Sequence, residues 1–344
     1  AASDVYKRQV HTIVRMMRMI AEIVCPGILL LGEVVMEPEK VVPYFGTVDK
    51  PECHMLYNVT TMATTWHTVA TRDTRLLKRQ LDIVNNLPKE YVFLNYLRCH
   101  DDIGWGLDYA TLMTEGFGER SHKQYLNDYF QGYAGESVSR GELYNADPIT
   151  GDARFCGTTA SMCGIEKAGF EQDEQAMERA IQMDVMLHAY MFMQSGIPVL
   201  YSGDEIGQVN DYTYKEDPDK VQDSRYLHRG AMNWKLAENI TDDKTVEGRM
   251  FKRLGRLEEI RKSEKVFMTD ADTWTMETGD NSVLGIGRAY GKETLLGLFN
   301  FSEYNKTARI SDEEAAYTDL LSGKMLKAGT VELPPYGFLY LKKA

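Results

Sequence analysis

The sequence predicts an α/β fold: half of a parallel βα barrel followed by a small antiparallel β domain. Three observations carry this prediction. Amphipathic helical periods alternate with short, wholly apolar runs, as parallel βα units do. Several of those runs end in polar residues, the pattern a (β/α)8 TIM barrel shows at its catalytic face. After Lys265 the texture changes to short alternating or aromatic strands divided by Gly, Asn and Pro turns.

The elements follow in chain order. Residues 1–9 carry no helix or strand period and are read as an unassigned leader or scar. Val10, Ile13, Val14, Met17, Ala21 and Val24 recur at helical spacing, with Arg15, Arg18 and Glu22 on the opposite face and Pro26-Gly27 as the stop. Arg15, Arg18 and Glu22 also keep this stretch from serving as a membrane span or signal peptide. Ile28 to Leu31 reads as a buried strand with Glu33 at its end, and a weaker strand lies near Cys53 to Asn58. A helical period runs from Trp66 to Val84, then Tyr91 to Leu97 forms an aromatic strand ending at Arg98, Cys99, His100, Asp101 and Asp102. Residues 105–172 form a Gly- and Tyr-rich insertion, far longer than the usual 2–6 residues of a βα loop, which on a barrel would overhang the active face. Helices over 173–194 and 246–262 bracket a strand at Val199 to Tyr201, so 10–104 and 173–264 supply the barrel units and 265–344 the β-sandwich domain.

Composition narrows the function classes. Of 344 residues 43% are hydrophobic and 26% charged, enough for a core and unlike a disordered chain. The formal charge of −12, with no basic cluster, argues against nucleic acid as a partner and favours a neutral or modestly polar ligand. Five widely spaced cysteines with no metal-ligand pattern read as buried free thiols of a reducing, cytoplasmic compartment. No phosphate loop or metal constellation is visible, so no cofactor is expected, and no membrane partner.

Glu33 and the pair Asp101-Asp102 follow predicted strands. Carboxylates at such positions converge across a barrel mouth, and two of them about 5 Å apart flanking a glycosidic bond perform retaining glycoside chemistry. Taken singly, each also suits a solvated loop or a helix cap, and His100 suits a structural hydrogen bonder as well as a proton shuttle. Asp204-Glu205 reads as a structural loop, and the methionines near Met183 to Met193 as packing.

The segments NYLRCHDDIGW (Asn95 to Trp105), YNADPITGDARFCGTTASMCG (Tyr144 to Gly164), YSGDEIGQVND (Tyr201 to Asp211) and DSRYLHR (Asp223 to Arg229) together resemble amylosucrases. These form a sucrose-active branch of the α-amylase superfamily, glycoside hydrolase family 13. The resemblance runs from about Val10 to the C-terminus, with FNFSEY (Phe299 to Tyr304) in the β domain. It implies the C-terminal half of a TIM barrel, with strands 5 to 7 within 10–104. It implies that Glu33 is the general acid/base, its pKa raised by burial, and that Asp101 stabilises the oxocarbenium-like transition state beside His100. Asp102 and Arg154 would shape the acceptor side, and Arg225 would pair with an upstream acid to close the pocket behind a donor glucose. The implied partners are sucrose and an α-glucan or maltooligosaccharide.

One departure matters. The family's nucleophile is an aspartate in an R-x-D motif upstream of the acid/base, and no R-x-D precedes Glu33. The reading is therefore of an N-terminally truncated barrel, inactive and aggregating when expressed alone. Two other functions fit the same residues: an α-glucosidase or α-amylase acting on α-1,4-glucans, and a non-catalytic glucan-binding or interaction protein.

Overall fold

The computed structural model describes residues 2–36, 38–311 and 315–344. Helix α1 (Ala2–Val24) begins well before Val10. The expected leader is thus mostly helix, consistent with its Ala, Lys, Arg and Gln content, and residue 1 lies outside the described residues. The helix is also turned the other way from the expectation. His11 Nδ1 lies 2.6 Å from Glu52 Oε2, Arg15 Nη2 2.9 Å from Glu52 Oε1, and Arg18 Nη1 donates to the Glu52 carbonyl at 3.0 Å. Glu52 is fully buried, and a buried carboxylate requires charged partners. The polar stripe therefore faces the protein, while Ile13, Met16, Met17, Ile20, Ile23 and Val24 are 54–78% exposed.

β1 (Leu31–Gly32) leads through α2 (Pro38–Val41) and a hairpin, β2 (Gly46–Thr47) and β3 (Lys50–Pro51), to β4 (Met55–Tyr57). Two helices follow, α3 (Val59–Thr71) and α4 (Arg75–Asn85), then β5 (Val92–Asn95). The single helical period expected from Trp66 to Val84 breaks at Arg72, whose φ of +59° is left-handed. Burial of Trp66, Val69, Leu77 and Leu81 in one core preserves the period across the break.

The insertion is more regular than its composition suggests. With β6 (Ile103–Gly104) just before it, it holds α5 (Tyr109–Thr114), α6 (Glu119–Phe130), β7 (Glu142–Tyr144), β8 (Arg154–Cys156), α7 (Thr159–Cys163) and α8 (Ile165–Glu171). These strands form an antiparallel sheet in the order β6-β8-β7. Helix α9 (Glu174–Met193), exposed in its first turns and buried almost throughout from Ala180 to Met193, returns the chain to the barrel sheet at β9 (Ile197–Pro198). That strand stops before the expected Val199 to Tyr201. Its entry needs Gly196, where φ is +109° and a Cβ would stand 2.2 Å from the Phe93 carbonyl oxygen. The sheet order is β1-β4-β5-β9 with every pairing parallel, so neighbours follow in chain order like the staves of a barrel. β1 and β9 are its two edges.

A short α10 (Trp234–Ala237) precedes α11 (Val246–Ser263), which packs on α9. The last unit comprises β10 (Asp272–Met276), β11 (Val283–Tyr290), β12 (Glu293–Asn300), β13 (Lys306–Ile310), β14 (Ala316–Asp319), β15 (Met325–Lys327), β16 (Gly329–Leu333) and β17 (Phe338–Lys343). Six strands form one sheet, β10-β11-β12-β17-β14-β15, and β13-β16 make a ribbon sharing its core through Leu298, Ile310, Val331 and Leu341. The fold is thus a barrel half joined to a C-terminal antiparallel β domain. Arg288 on β11 fastens the two units. It is fully buried and donates to the carbonyls of Val266, Met193, Gln194 and Met268 at 2.6–3.1 Å.

A buried histidine pair joins the barrel to the insertion. His67 Nδ1 on α3 lies 2.8 Å from His122 Nε2 on α6, and both are at most 3% exposed. Burial, and for His67 also the neighbouring ring, lowers the pKa from 6.5 to about 3 for His67 and, by burial, to about 4 for His122. Both are therefore neutral in the fold, whereas the unfolded chain takes up protons below pH 6.5. Stability is expected to fall as pH drops from 6.5 towards 4 and to level off below the folded-state values, which urea denaturation at pH 7, 5.5 and 4.5 measures. His122→Phe is expected to flatten that slope.

Candidate active site

The parallel strands bring their C-terminal ends to one side, and there the predicted residues gather. Glu33 follows β1, Tyr57 ends β4, residues 98–102 follow β5, and Asp204 follows β9. The rings of Tyr57 and Tyr96 meet edge to face with centroids 5.3 Å apart. Burial pushes both phenols up, and the charges of Glu33 and Asp101 push both further in the same direction. Cys99 responds likewise, to burial first and to both acids in addition. Glu33 and Asp101 therefore act on the same small set of groups between β1, β4 and β5. Glu33 itself is exposed, so the buried setting expected for an acid/base is not formed by these residues.

Asp101 sits beside two guanidinium groups and an imidazole. Arg229 Nη2 lies 3.0 Å and Arg225 Nη1 3.4 Å from its Oδ1, and His100 Nε2 lies 3.6 Å from its Oδ2. Arg225 is held by Asp223, from Nε to Oδ1 at 2.9 Å and Nη2 to Oδ2 at 2.8 Å, and lies 4.8 Å over the Tyr144 ring. Asp223 and Asp101 are its carboxylate partners among the described residues, and the expected upstream acid is not one of them. The His100 backbone oxygen accepts from Arg229 Nε and lies 3.3 Å from His228 Nε2, which fixes the loop while leaving the His100 ring more than half exposed.

Asp102 and Arg154 also meet, at 3.8 Å. Burial raises the Asp102 pKa and the Arg154 charge opposes that shift. Their approach depends on the pairing of β6 with β8 and on Gly104, where a Cβ would stand 1.9 Å from Arg154 Nη1. Beneath the site Arg98, 3% exposed, donates to Asp204 at 2.7–2.8 Å and to the His228 carbonyl at 3.2 Å. Asp204 is thus buried as the counter-ion of the strand end that carries Asp101.

Sequence reasoning missed Asp223 and Arg229 as site residues, although both stand in the quoted DSRYLHR segment. The signal was the 3-10 turn Ser224–Leu227, capped by the Asp223 side chain, which puts Arg225 and Arg229 on one side. Tyr57, Tyr96 and Tyr144 left no signal beyond being aromatic. Chemically, the cluster offers a carboxylate fixed by guanidinium groups, a second, exposed carboxyl side chain, an exposed imidazole and aromatic faces. These suit binding of ring hydroxyls and stabilisation of positive charge. No group of three or more metal-ligating side chains occurs among the described residues. No helix there is long and apolar enough to cross a membrane. The cysteines are free, with Cys53, Cys156 and Cys163 buried as expected but Cys25 exposed and Cys99 half-buried.

Residues 286–343 match the β-galactosidase C-terminal domain family. Over 344 residues the chain is 24% identical to a glucosylglycerate phosphorylase of Escherichia coli (strain K12), covering 99% of this chain and 57% of that protein. Among solved structures it resembles sucrose 6F-phosphate phosphorylase from Thermoanaerobacter thermosaccharolyticum, with TM-score 0.59, 18% identity and 88% and 52% of the two chains covered. It also resembles an α-amylase from H. orenii, with TM-score 0.56, 15% identity and 98% and 58% covered. The structural similarities show a fold of the α-amylase type, a barrel with a C-terminal β domain. The chain spans little more than half the length of the curated relatives it matches, 57% and 53%.

Proposed function

We propose that these residues form the acid/base and charge-stabilising side of a retaining α-glucosyl-transfer centre. In this reading sucrose is the donor, fructose leaves, and the glucosyl group passes to an α-glucan or water, as in an amylosucrase. The supporting observation is that Glu33 after β1 and Asp101 after β5 stand at the same ends of the parallel strands as the Tyr57–Tyr96 ring pair, with His100 and Arg225 against Asp101 and the Asp102–Arg154 pair next to it in the chain.

Glu33 protonates the oxygen of the departing fructose and later takes the proton of the acceptor hydroxyl. Asp101, held by Arg225 and Arg229, accepts hydrogen bonds from ring hydroxyls and stabilises the oxocarbenium-like transition state. His100 adds a donor beside it. Asp102 and Arg154, on the insertion's side, contact the acceptor. The carboxylate nucleophile is not among these assigned residues, so the proposal concerns the intact protein, meaning these residues together with the polypeptide that supplies it. The free thiols favour a cytoplasmic location.

Phosphorolysis is the second reading, favoured by the similarity to glucosylglycerate phosphorylase. Offering the intact protein sucrose, glucosylglycerate and maltooligosaccharides, each with and without phosphate, separates the readings. Fructose released from sucrose without phosphate is the expected result. Phosphate-dependent glucose 1-phosphate would establish phosphorolysis, and activity confined to maltooligosaccharides would establish an amylase or glucosidase.

A further inference from the structure

A buried acid–imidazole pair on α9 lies beneath the Asp101 cluster and has no part in the chemistry assigned above. His188 Nδ1 lies 3.0 Å from the Asp184 carbonyl oxygen and 2.9 Å from Asp184 Oδ1. A carbonyl oxygen only accepts, so Nδ1 carries a hydrogen. On the other side of the ring, Nε2 lies 3.9 Å from Asp204 Oδ2. Asp204 in turn accepts from Arg98 through Oδ1, at 2.7–2.8 Å, and from the Thr159 hydroxyl of α7 through Oδ2, at 3.1 Å. Asp184, His188, Asp204 and Arg98 are each at most 3% exposed.

The neighbouring charges fix the state of the ring. A lone pair on Nε2 would be repelled by the Asp204 carboxylate, whereas a second ring hydrogen is attracted. Burial disfavours the charged imidazole, but the Asp184 contact and the Asp184 and Asp204 charges raise the His188 pKa overall. Burial likewise raises the Asp184 pKa, and His188 opposes that shift. Cys163, close to both acids, is held as a thiol by burial and by their charges. With His188 as an imidazolium, two carboxylates and two cations balance, and neutralising any one of them leaves a buried charge unpaired.

This cluster holds the scaffold of Asp101. Arg98 ends the same strand, three residues before Asp101. It lies 4.4 Å over the Tyr201 ring and donates to the His228 carbonyl at 3.2 Å. His228 adjoins Arg229, whose Nη2 lies 3.0 Å from Asp101 Oδ1. Arg98 thus ties the Asp101 strand end to the segment that brings the arginines to it. Stability alone does not call for such a pair. Replacing a buried ion pair with packed apolar side chains is often neutral or stabilising, and here the Asp184 oxygens and His188 Nε2 lack an aligned hydrogen-bond partner among the described residues.

We propose that Asp184 and His188 are positioning residues for glucosyl transfer, holding Asp101 in register with Arg225 and Arg229 through Asp204 and Arg98. The inference rests on the catalytic reading of Asp101.

The test follows fluoride release from α-glucosyl fluoride by the intact protein, a donor that needs Asp101 whatever the natural leaving group. Asp184→Asn keeps the shape and removes one charge. Asp184→Leu with His188→Met removes both charges and leaves none unpaired, so it keeps the fold should the single variant lose it. Each is expected to lower kcat roughly tenfold with KM little changed, as a small misplacement of a catalytic group does. In a protein already carrying Asp101→Asn, the same substitutions are expected to cost less than about twofold, because the group they position is gone. A role in stability alone would cost the same in both backgrounds. Equal losses in the two backgrounds, or undiminished kcat in the Leu/Met variant, would overturn the proposal while leaving the catalytic reading intact. Asp101→Asn without loss of fluoride release would overturn that reading and the proposal with it.

Discussion

Replacing Asp101 with Asn in the intact protein is expected to lower kcat for glucosyl transfer about 10²- to 10³-fold, the usual loss when one preorganised charge-stabilising group is removed. Two guanidinium groups, of Arg225 and Arg229, converge on Asp101 beside the His100 imidazole. The amide keeps the shape but loses the negative charge, so those cations would then oppose an oxocarbenium-like centre instead of being balanced. Replacing Glu33 with Gln is expected to cost about 10²- to 10⁴-fold on sucrose, the range for a general acid/base. The two losses differ in kind. Glu33 matters in proportion to how much the leaving group needs a proton, whereas Asp101 matters for every donor. Steady-state fructose release, with circular dichroism to confirm folding, measures both.

Residues 1–344 expressed alone are expected to self-associate. On α1 the charged stripe is occupied by buried Glu52, so the apolar stripe faces outward. Ile28 and Leu29, leading into edge strand β1, are 42% and 61% exposed, and Ile197 on the opposite edge strand is 40% exposed. Unpaired parallel edges beside apolar surface are templates for association. Sedimentation velocity should show oligomers at micromolar concentration, and Ile13→Lys with Met17→Glu and Ile20→Lys should reduce them. A wild-type monomer over that range would contradict this expectation.

The legible parts of the fold were those whose neighbours in sequence are also neighbours in space. The helical period of α9, the aromatic run of β5 and the hairpin of β11 with β12 each carry their own signal. Less legible was whatever tertiary contact decides. α1 has a clear period, but periodicity does not say which face turns inward when a buried carboxylate such as Glu52 competes for the arginines. The three-stranded sheet of the insertion pairs Gly104 with Arg154, 50 positions apart, and leaves no local trace. In the site, residues of quoted motifs such as Asp101, Arg154 and Arg225 stood out. Arg229, Tyr144 and the His67–His122 pair acquire their roles only through contacts made on folding.

The account rests on Glu33 as the group that protonates the leaving oxygen, and the most direct test is the Glu33→Gln intact protein given two donors. Fructose requires protonation to depart, whereas fluoride departs from α-glucosyl fluoride with little need of it. The account predicts that the variant loses sucrose turnover while retaining much of its fluoride release. Equal loss with both donors, or undiminished turnover of sucrose, would contradict it.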